Sequence, residues 1–135
     1  KHHFFKFILN PVLLINKKKR SLKFHFDLFH GSGNLEKAIN LLDDKNKEEF
    51  MIYMQNETSF HPHNMFICKT KILKEYYDIV LPWLEKCEQE FGFSNLSGYG
   101  LKRIYGFLAE RFLSFWFSKN YKVKKNPIIV DAKRK

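Results

Sequence analysis

Apolar positions in the second half of the chain recur with the spacing of an α-helix. One stripe falls at i, i+3, i+4, i+7, i+11, i+14 and i+18, at Leu73, Tyr76, Tyr77, Val80, Leu84, Cys87 and Phe91. This spacing predicts a long helix with one buried face, and Thr70 is a suitable capping residue for its start. Pro82 lies inside the stripe and should kink the helix or begin a second one. A last helix is predicted from about residue 101 to residue 119.

Shorter patterns lie on either side of these helices. Residues 23–29 alternate with period two, which predicts a strand or an extended segment, and two short helices are predicted near residues 34–42 and 45–55. The continuous apolar run at residues 65–68 is typical of a strand buried on both faces. Residues 121–130 resemble a final edge strand. The predicted fold class is therefore α/β, or α+β, with a short buried strand followed by long helices.

Length and composition limit the classes of protein to which the chain could belong. The chain has 135 residues, enough for one ordinary domain, and 44% of them are hydrophobic. No run approaches the ~20 apolar residues that cross a bilayer, and two cysteines suit a reducing compartment rather than a disulfide framework. A net charge of +10 indicates an anionic partner: nucleic acid, anionic lipid or a phosphorylated substrate. Because the chain begins with Lys1 rather than Met, we expect it to be a piece of a longer protein.

Residues 1–30 form a basic and aromatic N-terminal segment. In it, an apolar run over residues 4–15 is followed by basic residues at positions 17–20. The basic block is either a solvated turn or a patch that faces phosphates or lipid headgroups. The neighbouring apolar run keeps the second interpretation open.

Three residues of the predicted last helix share one stripe: Arg103, Gly106 and Glu110. Because glycine weakens a helix interior by about 1 kcal/mol relative to alanine, Gly106 suggests that another group approaches this face closely. Glu110 and Arg111 emerge from an otherwise apolar stretch. A carboxylate in such surroundings can have a raised pKa and act as a base toward a hydroxyl. It can equally form a structural ion pair that ties this helix to its neighbour.

The histidines and cysteines do not form a recognisable metal motif. His61, His63, Cys68 and Cys87 match no zinc spacing, and both cysteines lie in apolar stretches typical of a core. No metal site is therefore predicted within the chain. His63 could contact substrate, or serve as one ligand of a divalent ion whose other ligands lie outside this chain. The positive charge is not accompanied by a DNA- or RNA-binding motif, so a nucleic-acid partner is not expected.

Four short segments occur in an order that resembles a known bacterial family. They are Asn-Met-Phe-Ile at 64–67, Glu-Tyr-Tyr at 75–77, Leu-Pro-Trp-Leu at 81–84 and Gly-Phe-Leu-Ala-Glu-Arg at 106–111. The chain resembles the C-terminal half of the domain-of-unknown-function 4422 family of capsule and exopolysaccharide gene clusters, which is regarded as a group of glycosyltransferases related to the GT-A fold. The Trp-Lys-Asn and His-Tyr-Arg-Arg motifs of that family's N-terminal half are absent from this sequence.

The resemblance implies an assignment of domain and catalytic residues. Residues 31–135 would be the acceptor-side part of a partial GT-A-like domain, which is inactive on its own. Glu110 would deprotonate the acceptor hydroxyl. Arg111 would stabilise that carboxylate or contact the donor diphosphate.

The resemblance also implies which residues bind substrate. His63 and Asn64 would line the sugar pocket, and Tyr99 and Arg103 would flank the loop that covers the acceptor. Any divalent cation, Mn²⁺ or Mg²⁺, would be bound with residues outside this chain.

The predicted function is transfer of a sugar from a nucleotide-sugar donor to a lipid-linked or saccharide acceptor during capsule, exopolysaccharide or lipopolysaccharide synthesis. The protein would act in the cytoplasm, with peripheral contact to the anionic inner face of the bacterial inner membrane. The alternative is a non-enzymatic basic module that binds nucleic acid or a protein partner. The position of the charges separates these hypotheses, because a transferase needs Glu110 and Arg111 in a cleft and the module needs a continuous Lys/Arg face.

Overall fold

All regular secondary structure in the described part of the chain is helical. The computed structural model describes residue 16, residues 20–92 and residues 96–126. The helices are α1 (Leu22–His30), α2 (Asn34–Asn40), α3 (Asp44–Asn56), α4 (Thr70–Phe91), α5 (Gly98–Lys102) and α6 (Ile104–Asn120). Because no strand occurs in these ranges, the predicted α/β or α+β class, with its GT-A-like buried strand, is wrong for this part of the chain.

Helix α1 forms where period-two alternation predicted an extended segment. Ser21 Oγ caps its start by accepting a hydrogen bond of 3.2 Å from the backbone N–H of Phe24. Within the helix, Lys23 Nζ pairs with Asp27 Oδ2, one turn further along, at 2.6 Å. The buried residues of α1 are Leu22, Phe26 and His30. A period of two repeats every four residues as well, so this pattern also places one set of residues on a helix face.

The predicted buried strand at residues 65–68 is also wrong. Met65 is 60% exposed and Ile67 is fully exposed, at 102%. Phe66 alone of these three turns inward, where its ring centre lies 5.0 Å from that of Phe117 on α6. The helices cover one side of this segment, and no described strand covers the other.

The two predicted short helices are confirmed as α2 and α3. The sequence predicts Asn34 as the cap of the first of them, but Gly33 occupies the capping position with a φ of 83°, and Asn34 is the first residue of α2. The Asn34 amide donates to the carbonyl of His30 at 2.8 Å. Asp43 caps α3 by accepting a hydrogen bond of 3.1 Å from the backbone N–H of Asn46.

The long helix predicted from residue 70 is confirmed as α4. Thr70 is its first residue, and Lys69 stands at the capping position without a side-chain hydrogen bond. The helix continues through Pro82, so no second helix begins there. Val80 and Trp83 are buried on either side of the proline, and their packing outweighs the backbone hydrogen bond that proline cannot donate.

The last predicted helix begins later than expected. Arg103 has φ −109° and ψ 16°, which separates α5 from α6. Helix α6 ends at Asn120, and the backbone of Tyr121 after it is extended. The final strand predicted at 121–130 does not form over residues 121–126, and residues 127–130 lie outside the described residues.

The core is strongly aromatic and joins α4 and α6 to α2 and α3. Trp83 on α4 donates from Nε1 to the carbonyl of Ala38 on α2 at 2.7 Å. Phe112 on α6 meets Phe50 on α3 edge to face, with ring centres 5.3 Å apart. None of these helices has the length and apolarity of a membrane span.

The first three helices form a unit of their own. They contact one another pairwise, and the backbone N–H of Leu22 donates to the carbonyl of Glu57 at 2.8 Å, which joins the start of α1 to the end of α3. Of the basic N-terminal segment predicted at residues 1–30, residues 1–15 and 17–19 lie outside the described residues.

Candidate functional site

Two arginines with a phenylalanine between them lie on one side of α6 and of the residue that precedes it. Arg103 precedes this helix, and Phe107 and Arg111 follow at intervals of four, so the three side chains share a stripe. The Phe107 ring centre lies 5.5 Å from Cζ of Arg103 and 5.6 Å from Cζ of Arg111. The ring of Phe107 therefore contacts both Arg103 and Arg111, which are predicted site residues. The sequence interpretation missed it, because a phenylalanine in a Phe-rich helix is not distinguishable from a core residue.

Arg111 is buried among aromatic rings. It is 2% exposed, and its Cζ lies 4.0 Å from the ring centre of Phe60 and 5.7 Å from that of Phe26. Nη1 donates to the carbonyl of Phe107 at 3.3 Å and to Glu110 Oε2 at 3.2 Å. Burial lowers the pKa of Arg111 to about 10, against the opposing effect of the Glu110 charge. The guanidinium remains charged at neutral pH and is held by rings, by the Glu110 carboxylate, by the carbonyl of Phe107 and by Nδ1 of His25, which lies 3.4 Å from Nη2.

Both oxygens of Glu110 accept hydrogen bonds. Oε1 accepts from the backbone N–H of His63 at 3.1 Å, and Oε2 accepts from Arg111. The geometry matches the ion-pair alternative, except that the pair joins neighbouring residues of α6 rather than two helices. His63 and Asn64 both have positive φ, 76° and 48°. Glu110 therefore holds a backbone conformation that non-glycine residues rarely adopt.

Ser114, one turn further along α6, binds the loop between α3 and α4 that also contains His63 and Asn64. Its Oγ accepts from the backbone N–H of His61 at 2.8 Å and donates to the carbonyl of Glu110 at 3.2 Å. The sequence interpretation missed this residue. A buried serine in an apolar helix needs a hydrogen-bond partner, and this requirement was the available signal.

Arg103 and Tyr99 form the second group, and both are exposed. Arg103 Nη1 donates to the Tyr99 hydroxyl, and its Cζ lies 5.2 Å from the centre of the Tyr99 ring, which is 69% exposed. The predicted site residues thus fall into two groups: Tyr99 with Arg103, and His63 with Glu110 and Arg111. Asn64 is exposed on the loop beside His63, in the group that contains Glu110 and Arg111.

The model of the family described as Domain of unknown function (DUF4422) matches residues 6–121 of the chain. The chain belongs to the DUF4422 family. No curated protein and no solved structure matches it.

In this DUF4422 chain, a buried histidine connects α1 to α5. Nδ1 of His30 lies 3.1 Å from the carbonyl of Gly100, so this nitrogen carries the proton and donates it. The ring stacks on Phe107, with centres 4.1 Å apart. Burial lowers the pKa of His30 to about 4, opposed by the hydrogen bond to Gly100. His30 is therefore a neutral structural group at pH 7.

The close approach predicted at Gly106 occurs at Gly100 instead. Among the described residues, nothing lies within 4 Å of a Cβ built on Gly106, so the close approach expected there is not found in this part of the chain. A Cβ on Gly100 would collide with the carbonyl oxygen of Phe29. Gly100 is thus required where α5 crosses the end of α1.

Two concavities of the DUF4422 chain lie away from these residues. One, of about 320 Å³, lies between α3 and α6, and another, of about 250 Å³, lies between α4 and the connection from α2 to α3. Neither is lined by Glu110 or Arg111, so neither is the cleft that the transferase hypothesis expects around this pair. Among the described residues, no group of three or more His, Cys, Asp or Glu side chains could hold a metal ion.

Proposed function

We propose that this DUF4422 chain is the acceptor-side part of a nucleotide-sugar-dependent glycosyltransferase that acts in the synthesis of capsule, exopolysaccharide or lipopolysaccharide. The proposal builds on the resemblance of the four sequence segments. The observation that carries it is the exposed Arg103 guanidinium held over two aromatic rings. The acceptor would be lipid-linked or a saccharide.

The resemblance implies that Arg103 and Tyr99 flank the loop that covers the acceptor. Their exposed guanidinium and ring favour contact with the nucleotide-sugar donor, so we assign them to the donor instead. Arginine binds diphosphate oxygens through paired N–H donors, and Arg103 uses one N–H for Tyr99 and retains others. The exposed Tyr99 ring offers a flat face to a nucleobase or a sugar. Arg111 was an alternative contact for the diphosphate, but its burial favours the role of stabilising Glu110.

Glu110 is assigned as the base toward the acceptor. Its side chain is 13% exposed, and bonds from His63 and Arg111 orient the carboxylate. In the transfer, Glu110 takes the proton of the acceptor hydroxyl, and that oxygen bonds to the anomeric carbon as the bond to the nucleoside diphosphate breaks. His63 and Asn64 would line the sugar pocket.

A divalent cation would neutralise charge on the leaving diphosphate in such an enzyme. The described residues do not provide a ligand cluster for it. The cation is therefore assigned to residues outside this part of the chain.

The test uses the full natural polypeptide that contains these 135 residues. Calorimetric titration with uridine-diphosphate sugars and Mn²⁺ measures donor binding, and a transfer assay measures turnover. We expect Arg103→Ala to weaken donor binding about tenfold or more, whereas Lys102→Ala, the neighbouring exposed cation, does not. We expect Glu110→Gln to keep donor binding and to lose turnover by about 10²-fold or more.

Several results would overturn these assignments. Equal weakening by Arg103→Ala and Lys102→Ala would show a general effect of charge and not a site. Full turnover in Glu110→Gln would remove Glu110 as the base. If no nucleotide sugar binds and salt-sensitive binding to DNA or RNA is found instead, the basic binding module replaces the transferase.

A further inference from the structure

Helix α1 turns an apolar face to the solvent. Leu28 is 63% exposed, and Phe24 and Phe29 are 39% and 41% exposed. His25 is also exposed between them. Spacings of one, four and five residues place these side chains on one side of a helix, and that side carries no Lys, Arg, Asp or Glu. The outer face of a helix in a water-soluble domain normally carries charged residues.

The carboxylates nearest this face are paired. Lys23 Nζ lies 2.6 Å from Asp27 Oδ2 and 2.5 Å from Glu36 Oε1. The hydrogen bond to Asp27, followed by that to Glu36, raises the pKa of Lys23, so the lysine stays charged. One cation therefore offsets one of the two negative charges at the edge of the face, and both carboxylates are held in ion pairs.

Exposed cations lie at both ends of the same helix. Arg20 is exposed just before α1 and completes a block of basic residues at positions 17–20 in the sequence. At the other end, α5 packs against α1 through Gly100. That short helix contributes Lys102 and Tyr99, and Arg103 follows it; all three are exposed.

We infer that the α1 face of Phe24, Leu28 and Phe29, with Tyr99 on the adjoining α5, docks onto an anionic lipid bilayer. An apolar helix face lies at the boundary between headgroups and acyl chains, and flanking lysines and arginines are attracted to anionic headgroups. Tyrosine at the edge of such a face suits the headgroup level. The inference names a membrane-contacting surface and does not depend on the glycosyl-transfer chemistry.

Charge favours the bilayer over other occupants. A second copy of the chain, with a net charge of +10, would bring like charges at both ends of α1 together. Nucleic acid would satisfy the cations but would leave Leu28 without an apolar partner. An anionic bilayer satisfies the cations and the apolar side chains together.

The test is flotation of the whole chain with phosphatidylcholine vesicles that contain or lack phosphatidylglycerol. We expect binding to the anionic vesicles that weakens as salt is raised. Leu28→Asp should weaken it by about tenfold or more. The matched control is Leu81→Asp, since Leu81 on α4 is 56% exposed, and it should bind as the wild type does. Equal losses in both variants, or no loss in Leu28→Asp, would overturn the inference.

A second measurement locates the contact. Phe24→Trp adds a reporter to the α1 face, and Ile52→Trp on α3, where Ile52 is 49% exposed, serves as its control. Brominated lipids should quench the added emission at position 24 and leave that at position 52 unchanged. Blue-shifted emission from position 24 without lipid would show that another part of the chain covers the face. A concentration-dependent dimer that Leu28→Asp dissociates would show that a second copy does. Either result would overturn the inference.

Discussion

Arg103 and Arg111 both contact the ring of Phe107, yet they lie in different environments. Arg103 is exposed and meets Tyr99 from the adjoining α5. Arg111 is buried, because α1 and the loop after α3 bring Phe26 and Phe60 over it. The difference shows that the surroundings, and not the residue type, decide whether an arginine here can receive a ligand.

The largest effect is expected from Arg111→Ala. It leaves the mostly buried Glu110 carboxylate without its cation and opens a space between aromatic rings, so the free energy of unfolding should fall by about 3–5 kcal/mol. Urea denaturation measures this change. The double variant with Glu110→Gln and Arg111→Met, which removes both charges and retains volume, should lose about 1 kcal/mol or less. A small loss in Arg111→Ala would contradict the structural role.

His30 links the two environments through its stacking on Phe107, and it should make stability depend on pH. Its folded pKa of about 4 lies below the ordinary value of 6.5, so the unfolded chain binds more protons between these values. The contribution of His30 to the free energy of unfolding is fully present above pH 6.5. It falls by up to about 3 kcal/mol as the pH drops toward 4. Below that pH the contribution stays lost.

Urea denaturation at a series of pH values tests the histidine. His30→Phe keeps a ring against Phe107 and removes the titrating group, so its stability should change less between pH 6.5 and 4. Arg111 and His25 contribute positive charge near His30, and both remain in this variant. An unchanged slope would assign the pH dependence to other groups.

The crossing of α5 over α1 holds the Arg103 end of the stripe in place, and Gly100→Ala should disrupt it. The new Cβ would strike the backbone of Phe29, and overpacking of this kind costs about 1–3 kcal/mol. Gly106→Ala is the matched control, because its Cβ has open space and alanine favours a helix interior by about 0.5–1 kcal/mol. Thermal denaturation should therefore shift in opposite directions for the two variants.

The smallest effect on stability is expected from Arg103→Ala. An exposed cation over two rings contributes about 0.5–1 kcal/mol, so the variant should unfold within about 1 kcal/mol of the wild type. Circular dichroism with urea would measure it beside Arg111→Ala. A loss as large as that of Arg111→Ala would erase the distinction between the two arginines.

The sequence predicted the helices best where the pattern was long. The stripe that begins at Leu73 spans several turns, and only a helix satisfies it. The alternation over residues 23–29 and the run at 65–68 are short, and each fits more than one structure. Local capping favoured the helix in the first case, because Ser21 caps α1. Packing decided the second, because Phe66 turns inward against Phe117 of α6.

The candidate site was predicted in part. Glu110 and Arg111 are adjacent in the sequence, so their pairing could be anticipated. The bonds from His61 to Ser114 and from His30 to Gly100 join residues that are 53 and 70 positions apart. No local spacing encodes such contacts, which arise only when α1, the loop and α6 pack together.

The hydrogen bond from Leu22 to Glu57 bears on the order of folding. It closes a segment in which α1, α2 and α3 follow one another with short connections. Contacts between neighbours in sequence form quickly, because little loop-closure entropy is lost. We therefore expect these three helices to assemble first and to form a template onto which α4 and α6 dock. The contacts of Arg111 with Phe26 and Phe60 would then form last.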